Sequence, residues 1–213
     1  MINIHLQCRY PADSNGGFAP RLDSRRIWCA SFFTVIACWL FFGSAKVFSQ
    51  QAESAEYPVK LAFLYNFTKF VEWPADSYSD PGAPLLMCIV GHDPFNQELE
   101  GELRTRTVGD HPVQIRSLKP NDKLSICHIV FVPVTEKEQA DRIVKGLKGS
   151  RSLTVGESDG FAVSGGIINL TVDGNKVHFE INRIAAERAG LKISSKLLSI
   201  ARIVKERDPG SKI

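Results

Sequence analysis

The 213-residue chain is poor in the signatures of catalysis. It has no phosphate-loop motif, no His-Glu-x-x-His pair and no dinucleotide fingerprint, and no nucleophile elbow is expected. Internal repeats and low-complexity segments are missing as well. The mature histidines, His92, His111, His128 and His178, show no pair at metal-ligand spacing, so neither a metal site nor a cofactor is expected. A long membrane span is also lacking. The most apolar run, Ile27 to Phe42, is short of the roughly 20 residues that cross a bilayer.

That run, preceded by Arg25 and Arg26 and free of acidic residues, has the parts of a secretory signal. Val47 and Ser49 suit the small-residue positions of a cleavage site, which starts the mature chain near Gln50 and makes residues 1–49 a leader with signal peptide. Two rival readings are a lipoprotein box at Val35-Ile36-Ala37-Cys38 and a twin-arginine signal at Ser24-Arg25-Arg26. The very apolar Trp39 to Phe42 argues against the first, and nothing downstream suggests a preloaded cofactor for the second. An uncleaved signal anchor is a third alternative.

Residues 1–49 hold five of the 26 Lys/Arg and two of the 23 Asp/Glu, which leaves 21 of each in the remainder. A domain so balanced lacks the basic excess of a nucleic-acid binder. Three of the five cysteines fall in the leader, and Cys88 and Cys127 remain. An even pair in an oxidising compartment reads as one disulfide, and two buried thiols in apolar strands are the alternative.

Residues 50–213 suffice for one domain with its own core. Glu56 to Val71 predicts a helix apolar round most of its circumference, with Val59, Ala62, Phe63, Asn66, Phe67 and Phe70 at three-and-four spacing. Such a helix is buried on several sides or shared with a second subunit. Leu85 to Val90 and Cys127 to Val132 predict buried strands, and Val113 with Ile115 a half-exposed one. Asp93-Pro94 predicts an N-cap and first helical residue. Thr135 to Glu138 predicts a capping box, and Ala140, Ile143, Val144 and Leu147 the apolar face of the helix behind it. Leu153 to Val155 is a short strand. Ile167 to Val172 and Val177 to Ile181 form a hairpin about Asp173-Gly174-Asn175, Ile184 to Ala189 a short helix, and Ile193 to Lys205 a final amphipathic helix. The order predicts a single-domain three-layer α/β sandwich, its sheet mostly parallel with an antiparallel edge hairpin. The glycines from Gly156-Glu157-Ser158-Asp159-Gly160 to Gly165-Gly166 read as a tight surface loop, because no helix clearly opens on them.

Several blocks carry a family likeness. Glu56 to Phe67 running into Phe70-Val71-Glu72-Trp73-Pro74 resembles the opening signature of the YfiR-like periplasmic family. So do Cys88 to Gly91 with Asp93-Pro94-Phe95, Cys127 to Phe131, and Leu153 to Asn169. Phe179-Glu180-Ile181-Asn182 with Ala189 to Leu198 is the most specific block, and the whole likeness covers about residues 56–206. The resemblance implies a periplasmic, dimeric and non-enzymatic regulator. In relatives it holds an inner-membrane diguanylate cyclase inactive, limiting cyclic di-GMP and biofilm formation, and an outer-membrane lipoprotein titrates it away. It implies that Cys88 and Cys127 form the family's shared disulfide, whereas a second cysteine pair of some members, near Leu153, is missing here. It also makes Glu180 and Lys192, in the most specific block, candidate partner contacts, with local ion-pair or capping residues as the alternative for each. A small-ligand-binding module coupled to another sensor or transport system is the alternative, and a secreted enzyme of unrecognised type a third.

Overall fold

A computed structural model describes residues 47–95, 97–174 and 176–207. The signal features from Ser24 to Phe42, Cys38 among them, and the turn residue Asn175 lie outside the described residues. The chain divides after Val47, and the folded domain is the unit of residues 48–213.

Helix α1, Val47–Phe70, runs into the two-residue strand β1, Val71–Glu72. Next in the chain come β2 (Leu85–Val90), α2 (Gln97–Arg104), β3 (Thr107–Val108), β4 (His111–Leu118), β5 (Ile129–Val132), α3 (Lys137–Gly146), β6 (Leu153–Gly156), β7 (Ile168–Asp173) and β8 (Lys176–Asn182). Helix α4 (Arg183–Arg188), β9 (Lys192–Ile193), the single turn α5 (Ser195–Leu198) and β10 (Arg202–Val204) end the described chain.

Eight strands form one sheet in the order β10-β8-β7-β6-β5-β2-β4-β3, and β1 pairs separately with β9. Strands β4, β2, β5, β6 and β7 run parallel. The chain leaves β2 through α2 to β4 on one side, then crosses back to β5 on the other side and continues through α3 to β6. Right-handed crossovers in opposite directions set their connections on opposite faces. The core divides accordingly. Leu61, Leu64 and Phe67 of α1 and Leu103 of α2 pack with Met87, Ile129 and Phe179 on one face. Ala140, Ile143 and Val144 of α3 pack with Cys88, Cys127 and Val130 on the other. This is a three-layer sandwich with a mostly parallel sheet.

Five sequence expectations change. The inner stripe of α1 is Lys60, Leu61, Leu64, Phe67 and Thr68, continued by Val71 of β1, while Val59, Ala62 and Asn66 are not on it and Phe63 and Phe70 are half-buried at its margin. A helix apolar all round leaves its phase to its partner, and the Phe67 and Phe179 rings, 5.3 Å apart, set it. Asp93 accepts the Phe95 amide at 2.8 Å but opens no helix at Pro94, since α2 begins at Gln97. Thr135 makes no capping box: Val134–Glu136 is a 3-10 turn, and α3 starts without a side-chain cap. Cys127 stands two residues before β5 rather than inside it.

The largest change is at the end. Ile193 to Lys205 is no helix. Ser194 caps a single turn, and Arg202–Val204 then pairs with Glu180–Asn182 of β8 as a parallel outer strand. The run has helical spacing but is rich in β-branched residues toward its end, and the open flank of β8 decides between the two. The β7–β8 hairpin is therefore inside the sheet and not its edge.

Candidate functional site

Three assemblies stand out. The first lies at the carboxyl ends of β2, β5 and β6, where the strand order reverses and open α/β sheets form their crevice. Lys60, on the inner face of α1, pairs with both Glu56 and Glu157. Side-chain exposure is 5% for Lys60 and 1% for Glu157. Glu157 also accepts the Val134 amide at 2.7 Å, so one carboxylate ties α1 to the ends of β5 and β6. Burial alone would lower the Lys60 pKa, yet the hydrogen bonds and charges of Glu157 and Glu56 outweigh it and hold the ammonium above its usual range. Nearby, burial and a hydrogen bond with Glu100 raise the Asp93 carboxyl to about 6, and Glu100, bonded to Asp93 and Arg104, is lowered. Lys60 is fully engaged by carboxylates, so this network ties elements together and offers no free nucleophile or base.

The second assembly sits at the opposite ends of the same strands. His111 and His128, which the sequence spacing left unconnected, are brought together by the sheet around Tyr78. The ring centroids lie 3.6 Å and 4.5 Å from that of Tyr78. His92 and His178 are exposed and take no part. No cluster of three or more potential ligands is placed to hold a metal among the described residues.

The disulfide is the third. Cys88 and Cys127 are bridged, with Cα atoms 5.9 Å apart and both residues buried. The bridge fastens β2 to the segment entering β5, on the α3 face of the sheet.

The two candidate contact residues, Glu180 and Lys192, are differently placed. Glu180 is buried on β8, takes a 3.4 Å hydrogen bond from Asn169 and pairs with Arg202 of β10. The Arg202 side chain is 76% exposed, so Glu180 presents a cation rather than a carboxylate to solvent. Lys192 is exposed on β9, opposite Glu72. It lines a groove of about 220 Å³ with Ala186, Leu191, Ile193 and Leu198. Ile200 and Ile203, on either side of Arg202, are 70% and 47% exposed.

The stretch from Gly156 to Gly160 also spells Gly-x-Ser-x-Gly. A nucleophile elbow needs a strand-turn-helix setting. Here β6 passes into a run of turns, Ser158 spends its carbonyl on the Phe161 amide at 3.1 Å, and no histidine bonds its hydroxyl among the described residues. The glycines serve packing instead. A Cβ on Gly156 or Gly166 would fall 2.3 Å or 2.2 Å from the Phe161 ring.

A doubly wound sandwich fastened by the Cys88–Cys127 disulfide is an α/β domain of a class that leaves function to its surface. The YfiR/HmsC-like family model, DUF4154, matches residues 57–202, and the chain belongs to that family. Among solved structures, a conserved domain protein of Vibrio cholerae O1 biovar El Tor is 13% identical, with a TM-score of 0.43 over 57% of this chain and 55% of that one. An ABC domain from Streptococcus pneumoniae, solved in complex with L-Trp, is 11% identical, with a TM-score of 0.43 over 56% and 55%. The chain thus spans about half the length of each.

Proposed function

We propose that the protein is a non-enzymatic periplasmic regulator that binds and represses an inner-membrane partner, a diguanylate cyclase, and so restrains cyclic di-GMP signalling and biofilm formation. Membership of the YfiR/HmsC-like family over residues 57–202 carries the reading. The signal-like leader supports export, an outer-membrane lipoprotein is the proposed antagonist, and a homodimer the working form. No described helix is long and apolar enough to cross a membrane.

The contact surface we assign to the partner is the groove at Lys192 together with the outer strand β10. Lys192 offers a cation at the groove, and Arg202 offers another between the exposed Ile200 and Ile203, a mix of apolar and charged groups suited to a protein partner. Glu180 acts through Arg202, whose guanidinium it holds. The test is a pulldown with the membrane-embedded cyclase. Lys192→Glu with Ile200→Glu, which leaves the Glu180–Arg202 pair intact, weakens capture at least tenfold while leaving the circular dichroism unchanged. Undiminished capture by this variant removes the surface assignment, and no capture by the unaltered protein removes the cyclase.

A further inference from the structure

The connection between β1 and β2 has few ties to the rest of the protein. Among the described residues, three side-chain hydrogen bonds or ion pairs fasten residues 75–83 to other elements. His111 Nδ1 lies 2.7 Å from the Ala83 carbonyl, His128 Nε2 lies 3.1 Å from the Ser77 carbonyl, and Arg151 pairs with Asp76 at 2.5 Å on the surface. Two of the three ties are histidines. Tyr78 of the connection is stacked between their rings at interplanar angles of 7° and 23°, and Trp73 meets His128 edge-on at 6.3 Å. Within the same connection, the buried Trp73 Nε1 and Ser77 Oγ have no hydrogen-bond partner.

The bonds of His128 fix its protonation state. Nδ1 accepts the Leu86 amide at 3.0 Å, so the proton of the neutral ring resides on Nε2, where it is donated to Ser77. A second proton on Nδ1 would face the Leu86 N–H, donor against donor. It would also place a buried charge one ring away from His111. The groups facing His128 are Tyr78, Ser77 and Trp73 from the connection, the Leu86 amide of β2, and His111 of β4 across the Tyr78 ring, while Asp76 of the connection is paired with Arg151. No carboxylate bonds to His128 among the described residues. Burial is the largest cause and lowers its pKa; the bond to the Ser77 carbonyl opposes this, His111 adds to the lowering, and the net direction is down.

We infer that this stack is an acid-released latch: a protonated His128 ring cannot stay against the Leu86 N–H, and as it turns out to water it gives up Ser77 and Tyr78, which frees the connection of residues 73–84 from the amino ends of β2, β4 and β5. The inference stands apart from the identity of the partner. Because the folded state favours the neutral ring, the latch is fully closed above the ordinary histidine pKa of about 6.5 and weakens as pH falls toward the lower folded value. Across that window, opening grows by up to about tenfold per pH unit.

Hydrogen exchange by mass spectrometry between pH 7.5 and 5, corrected for intrinsic rates, tests the latch on the full chain. Protection of peptides within residues 75–84 should fall about tenfold or more, while β5 and β6 stay protected. His128→Asn, whose amide oxygen still accepts the Leu86 N–H, should exchange faster at pH 7.5 and show no pH dependence. Side-chain NMR of His128 in the unaltered protein serves if that variant misfolds, and it should titrate below about 6.5 together with the Leu86 amide. The latch is overturned by flat protection, by a loss spread evenly over the sheet, by the same loss in His128→Asn, or by His128 titrating at or above the ordinary value.

Discussion

Removing the disulfide is the perturbation whose magnitude derives most directly from the fold. Cys88 and Cys127 are 39 residues apart, and the loop they close contains α2, β3 and β4, the whole wing of the sheet on one side of β2. Chain entropy for a closed loop of roughly 40 residues gives about 4 kcal/mol of stabilisation through the unfolded state. For a domain of this size about 1 kcal/mol moves the melting temperature by roughly 2–4 °C, so the loss should be about 8–16 °C. Both cysteines are buried, so the paired substitution Cys88→Ala with Cys127→Ala leaves no unsatisfied polar group behind. Thermal unfolding monitored by circular dichroism, with and without reductant, should show the same drop in the reduced protein as in the variant. Quantitative alkylation counts the thiols before and after reduction. A drop below about 3 °C in both samples would refute the reasoning, because the wing would then need no tether.

Truncating Phe67, fully buried against Phe179, should cost about 3–5 kcal/mol in denaturant unfolding, and the less buried Phe63 and Phe70 clearly less; equal costs would mean the helix is covered on its outer side as well. Lys60→Met leaves the buried Glu157 carboxylate without its cation and should cost about 3–5 kcal/mol, much of it recovered by adding Glu157→Gln, and a double variant no better than the single excludes the pairing argument. Asp93 has its pKa raised to about 6, so the folded state favours its proton and the stability this contributes, full below about pH 4, is lost as pH rises through 6. Asp93→Asn, which keeps an acceptor for the Phe95 amide, should therefore raise the melting temperature at pH 7.5 and not at pH 4. An increase at both pH values would point to a cause other than titration.

Much of the scaffold was legible because local pattern and tertiary demand agree. Leu85 to Val90 and Leu153 to Val155 are apolar runs covered on both faces, and Ala140, Ile143, Val144 and Leu147 form the buried stripe of α3 in the expected order. The phase of α1 was not legible, since Val59, Phe63 and Phe67 are all apolar and the sheet chooses among them. Strand β10 was hidden because its pairing with β8 lies more than twenty residues away in the chain. The site groups are the least local of all. Lys60 meets Glu157 across 97 residues, and Tyr78, His111 and His128 come from three separate elements that only the strand order unites. Glu180 illustrates a different limit. A charge in a specific block reads equally as a partner contact or as a local ion pair, and only the pairing of β10 with β8 brings Arg202 to it.

The central claim is repression of cyclic di-GMP synthesis through a surface contact, and its most direct measurement is the cellular cyclic di-GMP level in the producing bacterium. Deleting the gene should raise that level several-fold, the unaltered gene should restore it, and the Lys192→Glu, Ile200→Glu double variant, produced at equal amount, should not. An unchanged cyclic di-GMP level on deletion, in cells shown to make the protein, would contradict the account.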